Sequence, residues 1–262
     1  FHKMGNVWSL SPDKLMDVRD ELDPGNYTVC RHPMTGEYYL EETEEFSLPK
    51  KLYGKTGRYT ERILHAFGTR QPGAQVGVFL SGTKGSGKTL LAKNLAKSSG
   101  LPTIIINTAF TDERFMRTIQ GIEQPAVIIF DEFEKVYKQE SQEAILTLFD
   151  GVYTVRDKVM VITCNDKWEV KSFFHNRPGR LRYAIEYSGI EQEFIEEYCE
   201  NLIDRGRYQK DIISFAAVCE EFNFDMLQTL VDELNRFGGP FKEAIEILNV
   251  CLLYTSPSPR DK

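Results

Sequence analysis

The 262 residues carry 32 Lys and Arg against 39 Asp and Glu, a net charge of −7, with 41% hydrophobic and 27% charged residues. That acidic balance, with a pI near 5.3, disfavours a broad nucleic-acid-binding surface but leaves room for a local basic channel. No apolar run approaches the ~20 residues of a membrane-spanning helix, and "FHKMGNVWSL" lacks the apolar segment of a secretory leader.

The N-terminal stretch to residue 47 is mixed. "YTVCRHPMTGEYYLEE" alternates polar and apolar residues around Pro33-Met34-Thr35-Gly36, which predicts a β-hairpin. The acidic run Glu41 to Glu45 reads as a solvated linker. From Pro49 the pattern changes, and "RYTERILHAF" sets Ile63, Leu64 and Phe67 on one helical stripe.

Apolar and amphipathic runs then alternate. "VGVFL" (76–80), "TIIIN" (103–107), "AVIIF" (126–130), "VMVITC" (159–164) and "YAIEY" (183–187) read as strands. The first four are apolar on both faces, as strands buried between helical layers must be. "KTLLAKNLAKS", "DERFMRTIQGI", "QEAILTLFDG" and "KWEVKSFF" lie between them and read as helices. The alternation predicts an α/β domain with a parallel sheet over residues 48–188. After Ser188 only helical spacing remains, so 189–250 reads as a small all-α domain, with Gly206 and Gly238-Gly239 as helix stops. The tail Cys251 to Lys262, "CLLYTSPSPRDK", resembles translated vector sequence and is expected to be non-native.

Five cysteines, at 30, 164, 199, 219 and 251, are too scattered for a disulfide framework or a zinc site. They read as reduced thiols of a cytoplasmic protein. The four histidines are equally dispersed.

Four motifs carry the chemistry. Gly82-Thr83-Lys84-Gly85-Ser86-Gly87-Lys88-Thr89 fits G-x-x-x-x-G-K-[ST] between a strand and a helix. Glycines let the backbone wrap a phosphate, and the helix N-terminus adds positive charge. Lys88 is the candidate for the β- and γ-phosphates and Thr89 for Mg²⁺, with Leu90 beside them on the first helical turn. Asp131-Glu132 follows "AVIIF" at the carboxyl end of a strand, where sites of parallel sheets form. Asp131 is the second metal candidate, and Glu132 can polarise a water for in-line attack. Asn165 ends the "VMVITC" strand and can meet the γ-phosphate or that water; capping the next helix is its structural alternative. Arg177, Arg180 and Arg182 crowd a rigid Pro178-Gly179 turn, from which an arginine can reach a neighbour's site.

In this order the motifs, with "LFDG" (148–151), "TCN" (163–165) and "RPGR" (177–180), resemble the AAA+ ATPase superfamily and are most similar to the AAA family proper. A compact bacteriophage-type member is a weaker likeness. The resemblance covers residues 49–250. It implies a sheet of order 5-1-4-3-2 followed by a helical lid, with ATP and Mg²⁺ held between them. It implies roles for Lys88, Glu132, Asn165 as the first sensor and Arg180 as the arginine finger. The family's second finger position holds Tyr183, with Arg182 one place early. Tyr53 and Gly54 fall where the family contacts adenine through the backbone. Phe224 replaces a small residue near the nucleotide, and Arg236 is a distant candidate for the second sensor. Phe110 is the best substitute for a missing pore-loop aromatic, with a place in the core as its structural alternative, and Asn107 a candidate switch that holds Glu132 at rest. The family further implies a homo-oligomeric ring, a hexamer, acting on a macromolecule, with protein favoured over nucleic acid and no membrane role. Two other readings stay open at this point: a DNA-replication accessory ATPase, and an ATP-dependent scaffold with little turnover.

Overall fold

The computed structural model describes residues 2–4, 6–9, 19–149, 155–171, 179, 181–187, 189–219, 222–248 and 250. Two compact units divide it: Phe1–Gly82 with Lys88–Glu186, and Thr83–Gly87 with Tyr187–Lys262.

The first unit is built on one twisted sheet. Its central strands are β5 (Val76–Gly82), β6 (Thr103–Ile106), β7 (Ala126–Phe130) and β8 (Lys158–Cys164). Every residue of β7 and β8 is buried, which is why residues 126–130 and 159–162 read as unbroken apolar runs. All pair in parallel: β6 with β7, β7 with β8, and β8 with β5. β9 (Tyr183–Tyr187) lies beside β5 at the edge, and its burial alternates residue by residue. The spatial order β9-β5-β8-β7-β6 is the 5-1-4-3-2 arrangement.

At the other side the sheet continues. β1 (His2–Met4), β2 (Val7–Ser9), β3 (Asn26–Arg31) and β4 (Tyr38–Thr43) extend it to the order β1-β2-β4-β3-β6-β7-β8-β5-β9. β3 and β4 form an antiparallel hairpin whose turn contains Gly36 at φ 70. β3 also pairs in parallel with β6, so the hairpin is part of the main sheet. The acidic run read as a linker is therefore partly strand. Glu41 faces Thr28, and Glu42 faces Tyr27. Low β-propensity yields here to a continuous ladder of backbone hydrogen bonds on a half-exposed strand.

Helices cover the sheet. α1 (Thr56–Gly68) packs on α2 (Lys88–Ser99) through a buried polar link: Asn94 Nδ2 donates to Thr60 Oγ1 at 2.8 Å. α3 (Glu113–Gln120) starts at Asp112, whose carboxylate accepts from Phe115 N. The same carboxylate accepts from the Tyr38 hydroxyl of the hairpin. α4 (Phe133–Val136) and α5 (Gln139–Phe149) follow β7. The helix expected from "KWEVKSFF" is a single 3₁₀ turn at Lys167–Glu169, capped by Asp166; residues 172–178 lie outside the described residues. Phe110 packs edge-on to Tyr38 at 5.0 Å between ring centroids and tilts against Phe115 at 5.6 Å, so it serves as packing for the hairpin rather than as a projecting loop aromatic.

Lys158 opens β8 almost fully buried, with its ammonium donating to the Gln124 and Arg156 carbonyls. Burial pulls its pKa down to about 8 from 10.5. Between those values the unfolded chain holds a proton that the folded chain has lost, so this group's contribution to stability rises with pH. The difference in urea-unfolding free energy between wild type and Lys158→Met is expected to move in favour of wild type from pH 7.5 to 9.5. A pH-independent difference would refute that account.

The second unit is helical. α6 (Gln192–Tyr198), α7 (Arg205–Val218), α8 (Phe224–Phe237) and α9 (Phe241–Ile247) bury Ile195, Ile212, Phe215, Leu227, Leu230 and Leu234. Gly206 does not stop a helix as its residue type suggested. Asp204 caps α7 by accepting from Arg207 N, which places Gly206 in the first turn. Gly238, at φ 63, does end α8.

Candidate functional site

In a parallel sheet, every strand delivers its carboxyl-terminal residue to the same edge. Here that edge gathers Gly82, Asp131, Thr163, Cys164 and Asn165 from three adjacent strands, with Lys88 and Thr89 opening α2. The Lys88 side chain is buried, and its ammonium donates to Gly82 O at 2.7 Å. Burial lowers its pKa, and the nearby Cys164, Glu134, Asp131 and Glu132 oppose that shift by favouring the charge. A polyphosphate at this ammonium would act in the same direction.

Thr89 Oγ1 lies 3.3 Å from Asp131 Oδ1. A hydroxyl and a carboxylate so placed form a hard-oxygen pair suited to a partly hydrated Mg²⁺. Thr163, one residue inside β8, fixes the acidic pair from behind. Its hydroxyl donates to Asp131 Oδ1 at 2.6 Å and accepts from Glu132 N at 2.9 Å. Sequence reading included Thr163 in the "TCN" strand end but gave its hydroxyl no task of its own, because these two bonds depend on the neighbouring strand. Thr163→Val keeps the shape and removes both bonds. It is expected to cost about 1–3 kcal/mol of unfolding free energy, read from urea melts; an unchanged melt would show that water replaces the hydroxyl.

Glu132 takes a left-handed backbone, φ 48 and ψ 49, one of two non-glycine residues with positive φ among the described residues. Such a conformation costs of order 1 kcal/mol and tends to persist at functional sites. Its carboxylate pairs with Lys135 and lies 3.4 Å from Asn165 Nδ2. Asn165 is held more tightly by Glu134, whose Oε1 accepts from both its backbone N and its Nδ2 at 3.0 Å. Glu134 is buried, and its other oxygen has no hydrogen-bond partner. Asn107 Oδ1 accepts from Thr108 Oγ1. Burial, followed by the charge of Glu134, pushes the Cys164 thiol up to about 12, so it is an inert neighbour.

The remainder of the glycine loop, Thr83–Gly87, groups with the helical unit. Gly82, Gly85 and Gly87 have φ of 134, 74 and 100, conformations that require glycine if backbone N–H groups are to turn inward. Asn223 Nδ2 donates to Lys84 O, and Phe224 N donates to Gly85 O. Ser86 Oγ is buried without a hydrogen-bond partner, as an oxygen reserved for a ligand would be. Leu90 is half-buried on α2.

Tyr53 and Gly54 lie in the loop before α1, with the Lys51 ammonium 4.7 Å over the Tyr53 ring and Gly54 at φ 63. Arg177 and Arg180 lie outside the described residues. Arg182 is exposed, with its guanidinium 5.8 Å over the Tyr183 ring. Arg236 sits in the last turn of α8. Among the described residues no group of His, Cys, Asp and Glu could enclose a metal by itself, and no helix is long and apolar enough to cross a membrane.

Residues 78–188 match the family described as ATPase family associated with various cellular activities (AAA). The chain is similar to Protein mac-1 of Caenorhabditis elegans, 32% identical over 125 residues, covering 40% of this chain and 15% of that protein. It is also similar to Nuclear valosin-containing protein-like of Mus musculus, 30% identical over 135 residues, covering 44% and 16%. A third relative is ATP-dependent zinc metalloprotease FtsH of Syntrophus aciditrophicus (strain SB), 29% identical over 135 residues, covering 41% and 18%. The chain thus spans less than a fifth of the length of these relatives. With the matched segment, the 5-1-4-3-2 strand order and the motifs at one sheet edge, residues 78–188 carry a domain of the AAA family of ATPases.

Proposed function

We propose that the chain binds ATP with Mg²⁺ and hydrolyses it to remodel a macromolecular partner, most simply a protein. The observation that carries this reading is the convergence of Lys88, Thr89, Asp131, Glu132 and Asn165 at the carboxyl edge of β5, β7 and β8. Lys88 and the inward backbone of Gly82 to Gly87 would bind the phosphates, with Thr83, Lys84, Ser86 and Leu90 lining them. Tyr53 and Gly54 would take the base. Thr89 and Asp131 would hold Mg²⁺, which supplies charge neutralisation on the β- and γ-phosphates.

Glu132 accepts a proton from the attacking water or orients it. Asn165 donates a hydrogen bond toward the reacting phosphate or that water. Arg180 of an adjacent copy neutralises charge developing on the phosphoryl group, which requires a ring, and the family supports a hexamer. Hydrolysis then loosens the interface and moves what is bound. The acidic net charge supports a protein partner over nucleic acid, and the scattered cysteines support a cytoplasmic setting.

The test is steady-state phosphate release from ATP and Mg²⁺, with and without single-stranded DNA. Turnover independent of DNA is expected. Turnover strongly stimulated by DNA would favour a replication accessory, and tight ATP binding with no release would favour a scaffold.

A further inference from the structure

We infer that Glu134 is the positioning residue that fixes Asn165 as a hydrogen-bond donor in the catalytic centre; the inference rests on the ATPase reading. Glu134 is 4% exposed, an unusual state for a carboxylate, and the Lys88 ammonium is among the charges near it. One of its oxygens, Oε1, accepts twice from the same residue, from Asn165 N and Asn165 Nδ2, each at 3.0 Å. The backbone N–H can only donate, so Oε1 is an acceptor whatever the protonation of the other oxygen. The amide end that faces it must therefore be the NH₂.

That settles which way the Asn165 amide is turned. One N–H points to Glu134, and the same nitrogen lies 3.4 Å from Glu132 Oε1. The second N–H is thus presented to the catalytic carboxylate, where a water or phosphate oxygen can take it. An unclamped asparagine could flip and offer its carbonyl instead, which repels both groups. Glu134 sits three residues after Asp131, in the first turn of α4, so the turn that carries Glu132 also carries the clamp on Asn165. A purely structural buried glutamate would be expected to use both oxygens. Here Oε2 has no hydrogen-bond partner, and both bonds go to one residue of the site.

Both contacts use a single acceptor oxygen, so Glu134→Gln can keep them, while Glu134→Leu removes them at similar volume. Glu134→Leu is expected to lower kcat by about 10–100-fold with the KM for ATP changed by no more than about 3-fold, and Glu134→Gln to restore most of the loss. On an Asn165→Ala background, Glu134→Leu is expected to add nothing, because its effect passes through Asn165. Additive losses, or a glutamine as poor as the leucine, would overturn the inference. A second readout needs no turnover and guards against misfolding. The Asn165 side-chain amide signal, assigned by its loss in Asn165→Asp, should exchange slowly with water in wild type and Glu134→Gln. Rapid exchange in wild type would also overturn the clamp. Absent wild-type turnover would instead sink the ATPase reading, and the exchange readout would still decide the clamp.

Discussion

Glu132→Gln is expected to bind ATP as wild type does and to release phosphate at least about 100-fold more slowly, the usual effect of losing a general base. The geometry makes this a clean substitution. Glutamine keeps the side-chain length and an oxygen that can accept from Asn165 and Lys135. The backbone turn depends on Glu132 N donating to Thr163, which the change leaves intact. The ion pair with Lys135 is half-exposed on both sides and contributes little to stability. What the variant loses is the capacity to accept a proton from water. Phosphate release measured beside equilibrium binding of a fluorescent ATP analogue separates the two effects. Near-normal turnover would remove Glu132 from the mechanism. Weak ATP binding would show that the residue supports the site rather than the chemical step.

Lys88→Ala and Arg180→Ala are each expected to be nearly inactive alone and to regain activity when mixed. Lys88 supplies the one buried ammonium at the end of β5 among the described residues of this edge, and alanine leaves the phosphates without it. Loss of an arginine acting in trans costs about 10³-fold or more in turnover. In a head-to-tail ring each site is shared between neighbours. Random 1:1 assortment then puts an intact Lys88 opposite an intact Arg180 at about one quarter of interfaces. Mixed samples should therefore recover up to that fraction of wild-type turnover, and activity should fall on dilution as rings dissociate. Failure to recover at any ratio, in mixtures shown by sizing to assemble, would place Arg180 outside the neighbour's site.

Much of the architecture was legible because local patterning and tertiary demand coincide. Residues 126–130 and 159–162 are apolar throughout since both faces of β7 and β8 are covered, and the alternation in 183–187 marks an edge strand. Where tertiary pairing overrode local preference, the reading failed. Glu41 and Glu42 look like linker residues, yet β3 recruits them into a ladder. Gly206 looks like a helix stop, yet the Asp204 cap starts α7 before it. Phe110 could be read either as a loop aromatic or as a core residue, and the hairpin decides for packing by setting Tyr38 against it.

By itself, the sequence determined the glycine loop with its lysine and threonine, the acidic pair at a strand end, and the strand–helix alternation that brings such ends to one edge. These are local signals, because each depends on residues within a single turn or strand. Only the tertiary structure decided which buried polar groups serve that edge. Glu134 carries no sequence signature and Thr163 enters only as the first residue of "TCN", since their tasks come from oxygens that meet Asp131, Glu132 and Asn165 across adjacent strands, about thirty residues away along the chain. The same pairing of distant strands made the N-terminal hairpin part of the ATPase sheet. A hydrogen bond between strands depends on register, and register is fixed only when the whole sheet forms.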